Sequence, residues 1–249
     1  MEVVYNNIGV DYAKLRKPDP RLIELICAQI IDLNTILNVG AGAGSYEPDD
    51  KNLIALEPSW RMISQRPAHA APSVCGIAES LPFQDNSFDG GLALLTLHHW
   101  SDIDRGLNEL KRVVTKRLVI HTWDSTATEN YWLINDYIPE LLALDAGRFP
   151  KMDDLIAKFR SARIIEVPIP CDCTDGFQGA YWQRPEAYLD DHVKKGISSF
   201  QQISQKALSR GLARLRADLD SGIWHNRYAG LLDKEAIDLG YRLIVAKAE

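Results

Sequence analysis

A chain of 249 residues, 46% hydrophobic and 25% charged, has the make-up of a single globular domain able to bury roughly 70–75% of its unfolded surface. Its formal charge of −6 lacks the basic footprint of a phosphate-backbone binder, which argues against nucleic acid as a substrate. No apolar run approaches the ~18–20 residues of a membrane span, the first residues lack the basic flank and apolar core of a leader, and the four cysteines are too scattered for a secreted disulfide framework, so the expected setting is cytoplasmic.

In chain order, "DPRLIELICAQIIDL" has helical period with Asp19 placed as its cap. The strand "TILNVGA" (35–41) follows, then the strand "NLIALEP" (52–58) and a helix over "PSWRMISQ". Next come the strands "SVCGIA" (73–78) and "FDGGLALLTL" (88–97), a helix over "DIDRGLNELKRVV", and the strand "KRLVIHTW" (116–123). The strands "ARIIEVPI" (162–169) and "YRLIVAKA" (241–248) complete a set of seven. Alternation of strands and helices is the sign of an α/β sheet with crossover helices. Near-continuous apolar character in the first, fourth and fifth strands indicates cover on both faces.

Two segments exceed a simple crossover, 124–161 and 170–239. Neither has linker composition, so both are expected to be folded insertions. In the second, Phe200, Ile203, Leu208, Leu212 and Leu215 recur at helical spacing, as in a helix that covers core or sheet edge. Insertions at the ligand-binding edge of an open sheet also form substrate lids. Trp123, Tyr131, Trp132, Tyr137, Tyr181, Trp182 and Trp224 lie in or beside the insertions, as core residues or as walls of an apolar pocket. The pair in "CDCTD" lacks zinc spacing, and no metal is expected.

Gly40, Gly42 and Gly44 follow the first strand directly, where missing side chains let backbone N–H groups approach a ligand. A dinucleotide fingerprint wants its third glycine three positions after the second, which here is Ser45; the glycine comes one residue early. Glu57 ends the second strand, where a carboxylate can accept both hydroxyls of a ribose. These two features by themselves leave open an NAD(P)-dependent oxidoreductase.

With "LNVGAGAGSYE", "IALEPS" and "AESLPFQDNSFDGGLALLTLHHW" in that order, the chain resembles the class I S-adenosylmethionine (SAM)-dependent methyltransferases. Within them it is similar to the ubiquinone/menaquinone-biosynthesis-like small-molecule group called methyltransferase type 11. The resemblance covers roughly the first half. "GAYWQRPEAYL", "GISSF" and "GYRLIVAKA" extend it toward bacterial methyltransferases of natural-product pathways.

It implies a Rossmann-like, seven-stranded, mostly parallel sheet with helices on both faces, an antiparallel last strand and helical insertions. The whole chain, 1–249, would be one methyltransferase domain, with 1–34 covering the cofactor, 35–123 as its SAM-binding core, and 124–161 and 170–239 as a substrate lid. Gly40, Ala41 and Gly42 would face the methionine part and ribose of SAM, and Glu57 the ribose hydroxyls. Pro58 and Met62 would border the adenine, Ala78 and Glu79 would reach its exocyclic edge, and Leu95 would lie beneath the cofactor. Tyr5, Tyr12 and Arg16 resemble the segment that folds over it, with Arg16 a partner for its carboxylate. Asn38 stands where the family usually has an acid, keeping an acceptor without the charge.

The implied activity is methyl transfer to a small organic acceptor, in secondary metabolism or cofactor biosynthesis, with S-adenosylhomocysteine as product. The implied partner is that acceptor, with neither membrane nor nucleic acid, and oligomeric state is left open. A hydroxyl, phenol or acidic-carbon acceptor needs a base and a neutral amine does not. His98 and His99 are the first candidates, since they follow the fourth strand and imidazole titrates near neutral pH. His121 with Asp124 is the second choice. A non-catalytic SAM-binding protein is the remaining alternative, motivated by Asn38 and the lack of an unambiguous base.

Overall fold

The computed structural model describes residues 15–249. Tyr5 and Tyr12 lie outside the described residues. The chain runs through α1 (Pro20–Cys27), β1 (Thr35–Val39), β2 (Asn52–Glu57), α2 (Trp60–Ile63), β3 (Ser73–Cys75), β4 (Phe88–Leu94), α3 (Ile103–Val113) and β5 (Val114–Trp123). Helices α4 (Pro139–Ala146) and α5 (Met152–Ile156) precede β6 (Ala162–Glu166) and the short β7 (Ile169–Pro170). Then come α6 (Asp191–Gly196), α7 (Gln205–Asp220), α8 (Ile223–Arg227), α9 (Ala229–Leu232), β8 (Ala236–Ile237) and β9 (Tyr241–Lys247).

Seven strands form one sheet in the order β3-β2-β1-β4-β5-β9-β6. Strands β1 to β5 pair in parallel, and β9 inserts antiparallel between β5 and β6. Alternation along each strand sends side chains to two cores. Ile36, Leu53, Leu92, Val119 and Leu243 join α1 and the insertions on one face. Leu37, Leu56, Ala93, Leu118 and Ile244 meet α3 and α5 on the other. Period-two alternation with both faces covered is the physical content of the apolar runs. Asn38 and His121 fall in step with the first set, so both point to the face that carries the insertions.

The first four strand predictions overrun at their carboxyl ends, where the ligand edge of such a sheet lies, whereas the fifth ends with β5 at Trp123. β1 stops at Val39 because Gly40 turns at φ +73°, and β4 stops at Leu94 because Leu95 adopts φ +50°. The predicted strand 162–169 divides, with β6 in the large sheet and Ile169 and Pro170 pairing β8 instead. Asp19 caps α1, its carboxylate accepting from the Arg21 N–H, but the helix is regular only to Cys27 and continues as tight turns that still bury Ile30 and Leu33.

The β7–β8 pair, Ile169 opposite Ile237, closes the neck of the 170–239 insertion. The stripe from Phe200 to Leu215 is not one helix: Phe200 lies in a 3-10 turn (Ser198–Gln201), and Ser204 starts α7 by accepting from the Ala207 N–H. Both insertions pack around Trp132, whose ring meets Tyr137, Tyr188 and Trp224 at centroid distances of 5.3–5.6 Å. Its indole N–H donates to the Trp182 carbonyl at 2.8 Å. The Tyr137 and Tyr188 hydroxyls donate to Asp218 Oδ2 and the Gln178 carbonyl at 2.9 and 2.7 Å, and such buried aromatics with bonded polar tips help fix the docking of these layers over the sheet. Among the described residues no helix is long and apolar enough to cross a membrane, and no His/Cys/Asp/Glu cluster suits a metal.

Candidate functional site

A cavity of about 710 Å³ opens at the carboxyl ends of β1, β2, β4 and β5. On its strand side, the N–H groups of Gly40 and Ala41 donate to the Leu56 carbonyl at 2.8 and 3.1 Å, clamping the glycine turn against β2. Glu57, 5% exposed, accepts from the Gly42 N–H at 2.8 Å through one carboxylate oxygen and from the Ser59 N–H at 2.9 Å through the other. Burial pushes its pKa up, against the opposing pull of those two hydrogen bonds and of Arg66. Each oxygen keeps a further lone pair, which suits a pair of hydroxyl donors.

Asn38 is buried, and its amide N–H donates to Glu47 Oε1 at 3.2 Å. Its Oδ1 is buried with no hydrogen-bond partner among the described residues. Glu47 in turn holds Arg66 at 2.6 Å, both side chains about 95% buried. The amide at position 38 therefore has a local cause, because an acid there would face the Glu47 carboxylate. Asn38→Asp is expected to destabilise the protein by about 1–2 kcal/mol near pH 7.5, since two adjacent carboxylates raise one another's pKa. The penalty should shrink toward pH 5, where the pair can share a proton; thermal midpoints at both pH values test this, and an equal loss at both would refute it.

Arg16 lines the cavity, yet its guanidinium donates to Asp175 from Nε at 2.6 Å and from Nη2 at 3.1 Å. Asp175 is buried in the second insertion and also accepts from Tyr46 Oη at 2.5 Å and the Gly176 N–H at 2.6 Å. This hub ties the segment before α1 to the glycine turn and the insertion. Glu79 lines the cavity too, with Oε1 accepting from the Ser101 N–H, the Ser101 hydroxyl and the Asp102 N–H. Burial raises its pKa, and those hydrogen bonds outweigh burial, so the carboxyl is held below its usual range.

His98 and His99 occupy the 3-10 turn (Leu97–His99) that follows the left-handed Leu95. His98 stacks on Phe149 at 4.1 Å and meets His99 at 3.8 Å. The Arg148 guanidinium lies 3.4 Å from His99 Nδ1; a guanidinium only donates, so that nitrogen accepts and His99 carries its proton on Nε2. His98 Nδ1 is buried with no hydrogen-bond partner among the described residues. Burial drives the pKa of His98 well below its ordinary value, helped by His99 and Arg148; burial and Arg148 bring His99 to about 4, and burial brings His121 to about 4.

All three histidines are thus neutral in the folded state near pH 7. Below the ordinary value of 6.5 the unfolded chain binds their protons first, so stability should fall as pH drops from about 6.5 to 4, by on the order of 2–3 kcal/mol for a group shifted this far. His121→Gln should flatten that fall. An acid limb identical to wild type in thermal-melting curves would count against the burial argument.

Gly40, Ala41, Gly42, Pro58, Met62, Ala78, Leu95 and His121 also line the cavity. Asp124 does not; its carboxylate accepts from the Thr126 N–H and hydroxyl within a turn. Of the aromatic candidates, Trp123 and Tyr131 line the cavity, whereas Trp132, Tyr137, Tyr181, Trp182 and Trp224 are packing residues away from it. Among the lining residues that sequence reasoning missed are Thr96, Asp145, Arg148, Phe149, Phe177 and Tyr241. The run "DAGRFP" was the available signal, two charges at the end of an apolar helix.

A family model described as a methyltransferase domain matches residues 37–119. The chain is 33% identical to a solved structure from Anabaena variabilis ATCC 29413, named "Putative methyltransferase from antibiotic biosynthesis pathway", with 93% of this chain and 98% of that one covered and a TM-score of 0.86. It is 28% identical to the uncharacterized methyltransferase YcgJ of Bacillus subtilis (strain 168) over 121 residues, 44% of each chain, so the match spans less than half of that curated relative. A structure from Bacillus halodurans C-125, 16% identical with a TM-score of 0.52 and coverage of 96% and 99%, shares the fold.

Proposed function

This chain belongs to the class I SAM-dependent methyltransferases, and on that premise we propose that it methylates a small organic acceptor held in the cavity at the strand ends. The observation that carries the reading is Glu57, a buried carboxylate that organises the glycine turn and opens into the same cavity. Bound SAM supplies a methyl group already activated by its sulfonium.

The residues present fit that cofactor. Asn38 Oδ1, buried without a partner among the described residues, would accept from its ammonium, and Glu57 from its ribose hydroxyls. Gly40, Ala41 and Gly42 would let the backbone approach, Pro58, Met62, Ala78 and Glu79 would surround the adenine, and Leu95 would support the cofactor from below. Arg16 would present its guanidinium to the carboxylate while Asp175 orients it. Holding an acceptor nucleophile about 3–3.5 Å from the methyl carbon then supplies much of the rate enhancement.

Where the acceptor must lose a proton, His98 is the better placed base. His99 Nδ1 already faces Arg148, whereas His98 Nδ1 lies buried and without a partner among the described residues. The insertions over the sheet, including Phe149, Phe177 and Ser199, would exclude water. Likeness along nearly the whole chain to a protein named for an antibiotic pathway supports an acceptor from secondary metabolism.

Two measurements test the reading. Calorimetry should detect S-adenosylhomocysteine binding to the folded chain. Incubation with methyl-labelled SAM and a metabolite extract should transfer label above a Glu57→Ala control. Binding without transfer would favour the non-catalytic alternative, and no binding would sink the assignment.

A further inference from the structure

Two opposite charges of the cavity wall have no part in the cofactor reading. Asp145 lies in the last turn of α4 and Arg148 follows its Gly147 cap, and both line the cavity. They do not bridge one another: Asp145 has no hydrogen bond or ion pair on its side chain among the described residues, and Arg148 touches only the neutral His99. Charges drawn from water cost free energy unless they are partnered. The Arg148 charge is near enough to oppose the effect of burial on Asp145, yet the two form no ion pair and remain half-buried in the cavity lining.

The surroundings say what would join them. Trp123 and Phe149 meet edge to face at 5.7 Å, and Phe177 and Tyr241 at 5.0 Å, so the same lobe offers flat apolar walls. Asp145 sits near enough to Tyr241 for its charge to raise the phenol, and burial with little compensation pushes the Asp145 carboxyl up to about 6. Asn38 and Glu57 come from β1 and β2, whereas Asp145 and Arg148 come from the 124–161 insertion, beside the histidines that follow β4.

We propose that the acceptor is a zwitterion of the amino-acid type, presenting an ammonium to Asp145 and a carboxylate to Arg148 while an aryl or other flat apolar body lies among Trp123, Phe149, Phe177 and Tyr241. This rests on the methyltransferase reading of the same cavity. Each charge-assisted contact should be worth about tenfold or more in affinity.

The test titrates matched triplets into the chain saturated with S-adenosylhomocysteine: L-tryptophan, tryptamine and indole-3-propionate, then L-tyrosine, tyramine and 3-(4-hydroxyphenyl)propionate. In at least one triplet the zwitterion should bind about tenfold tighter than either singly charged relative. Asp145→Asn should remove its advantage over the acid, and Arg148→Gln its advantage over the amine, while S-adenosylhomocysteine affinity, which also reports an intact fold, stays within about twofold. Binding by none of the zwitterions, equal binding within each triplet, or preferences unchanged in the variants would overturn the proposal. So would a selective loss of S-adenosylhomocysteine affinity in either variant, which would assign the pair to the cofactor. If wild type fails to bind S-adenosylhomocysteine, the methyltransferase reading itself falls, and the proposal with it.

Discussion

Glu57→Ala is expected to weaken S-adenosylhomocysteine binding by about 100-fold, because two hydroxyl-to-carboxylate hydrogen bonds at about 1.5 kcal/mol each are removed together. The substitution also releases the Gly42 and Ser59 N–H groups, which the two carboxylate oxygens hold at 2.8 and 2.9 Å. Loss of stability in the free protein should be much smaller than the loss of binding, since removing a buried acid whose pKa burial raises returns part of its desolvation cost. Glu57→Gln is not a conservative control: its amide NH₂ would have to face one of two N–H donors. It should still lose about tenfold or more. Calorimetric titration decides the matter, and wild-type affinity in the alanine variant would contradict the placement of the ribose.

Gly40→Ala should destabilise the fold by about 3 kcal/mol, combining a left-handed backbone cost of ~1–2 kcal/mol with overpacking of similar size. Gly40 has φ +73°, and an added Cβ would sit 1.9 Å from Thr96 Oγ1 and 2.7 Å from Thr96 Cβ. Thr96 cannot easily swing aside, because it is β-branched and buried and its hydroxyl accepts from Trp100 Nε1 at 3.3 Å. Gly222→Ala provides the comparison: φ is +74° with nothing within 4 Å, so it isolates the backbone cost at about 1 kcal/mol. Gly42→Ala should fall near that value, since its added Cβ meets only the flexible end of Met62 at 3.3 Å. For a chain of this size, Gly40→Ala should lower the melting midpoint by roughly 6–12 °C. A loss no greater than that of Gly222→Ala would refute the close approach of β1 to Thr96.

The strands and the strand-end residues that line the cavity were legible for the same reason. Ile36 to Val39, Leu53 to Glu57 and Leu92 to Leu94 are buried almost throughout, with successive side chains alternating between the two cores, and Gly40, Gly42 and Glu57 lie at fixed offsets relative to those strands. Contacts of that kind are set by local backbone geometry, which a contiguous stretch encodes. Strand ends were less legible. Leu95 turns with φ +50°, and nothing about a leucine in an apolar run announces a left-handed conformation.

Contacts between distant parts of the chain were out of reach of spacing arguments. Arg16 and Asp175 meet across 159 positions, and Tyr46 reaches Asp175 across 129. Asp145, Phe177 and Tyr241 share a wall although they belong to two insertions and the last strand. Asn38 read as a departure from the family pattern, and only its contact with Glu47, itself paired to Arg66, explains why an amide belongs there. Local periodicity and turn chemistry thus decided the sheet, its crossovers and the glycine turn from residues near one another in the chain. The packing of the insertions decided which charges face the cavity, because partners that far apart are chosen by burial and docking in three dimensions, and no one-dimensional spacing records that choice.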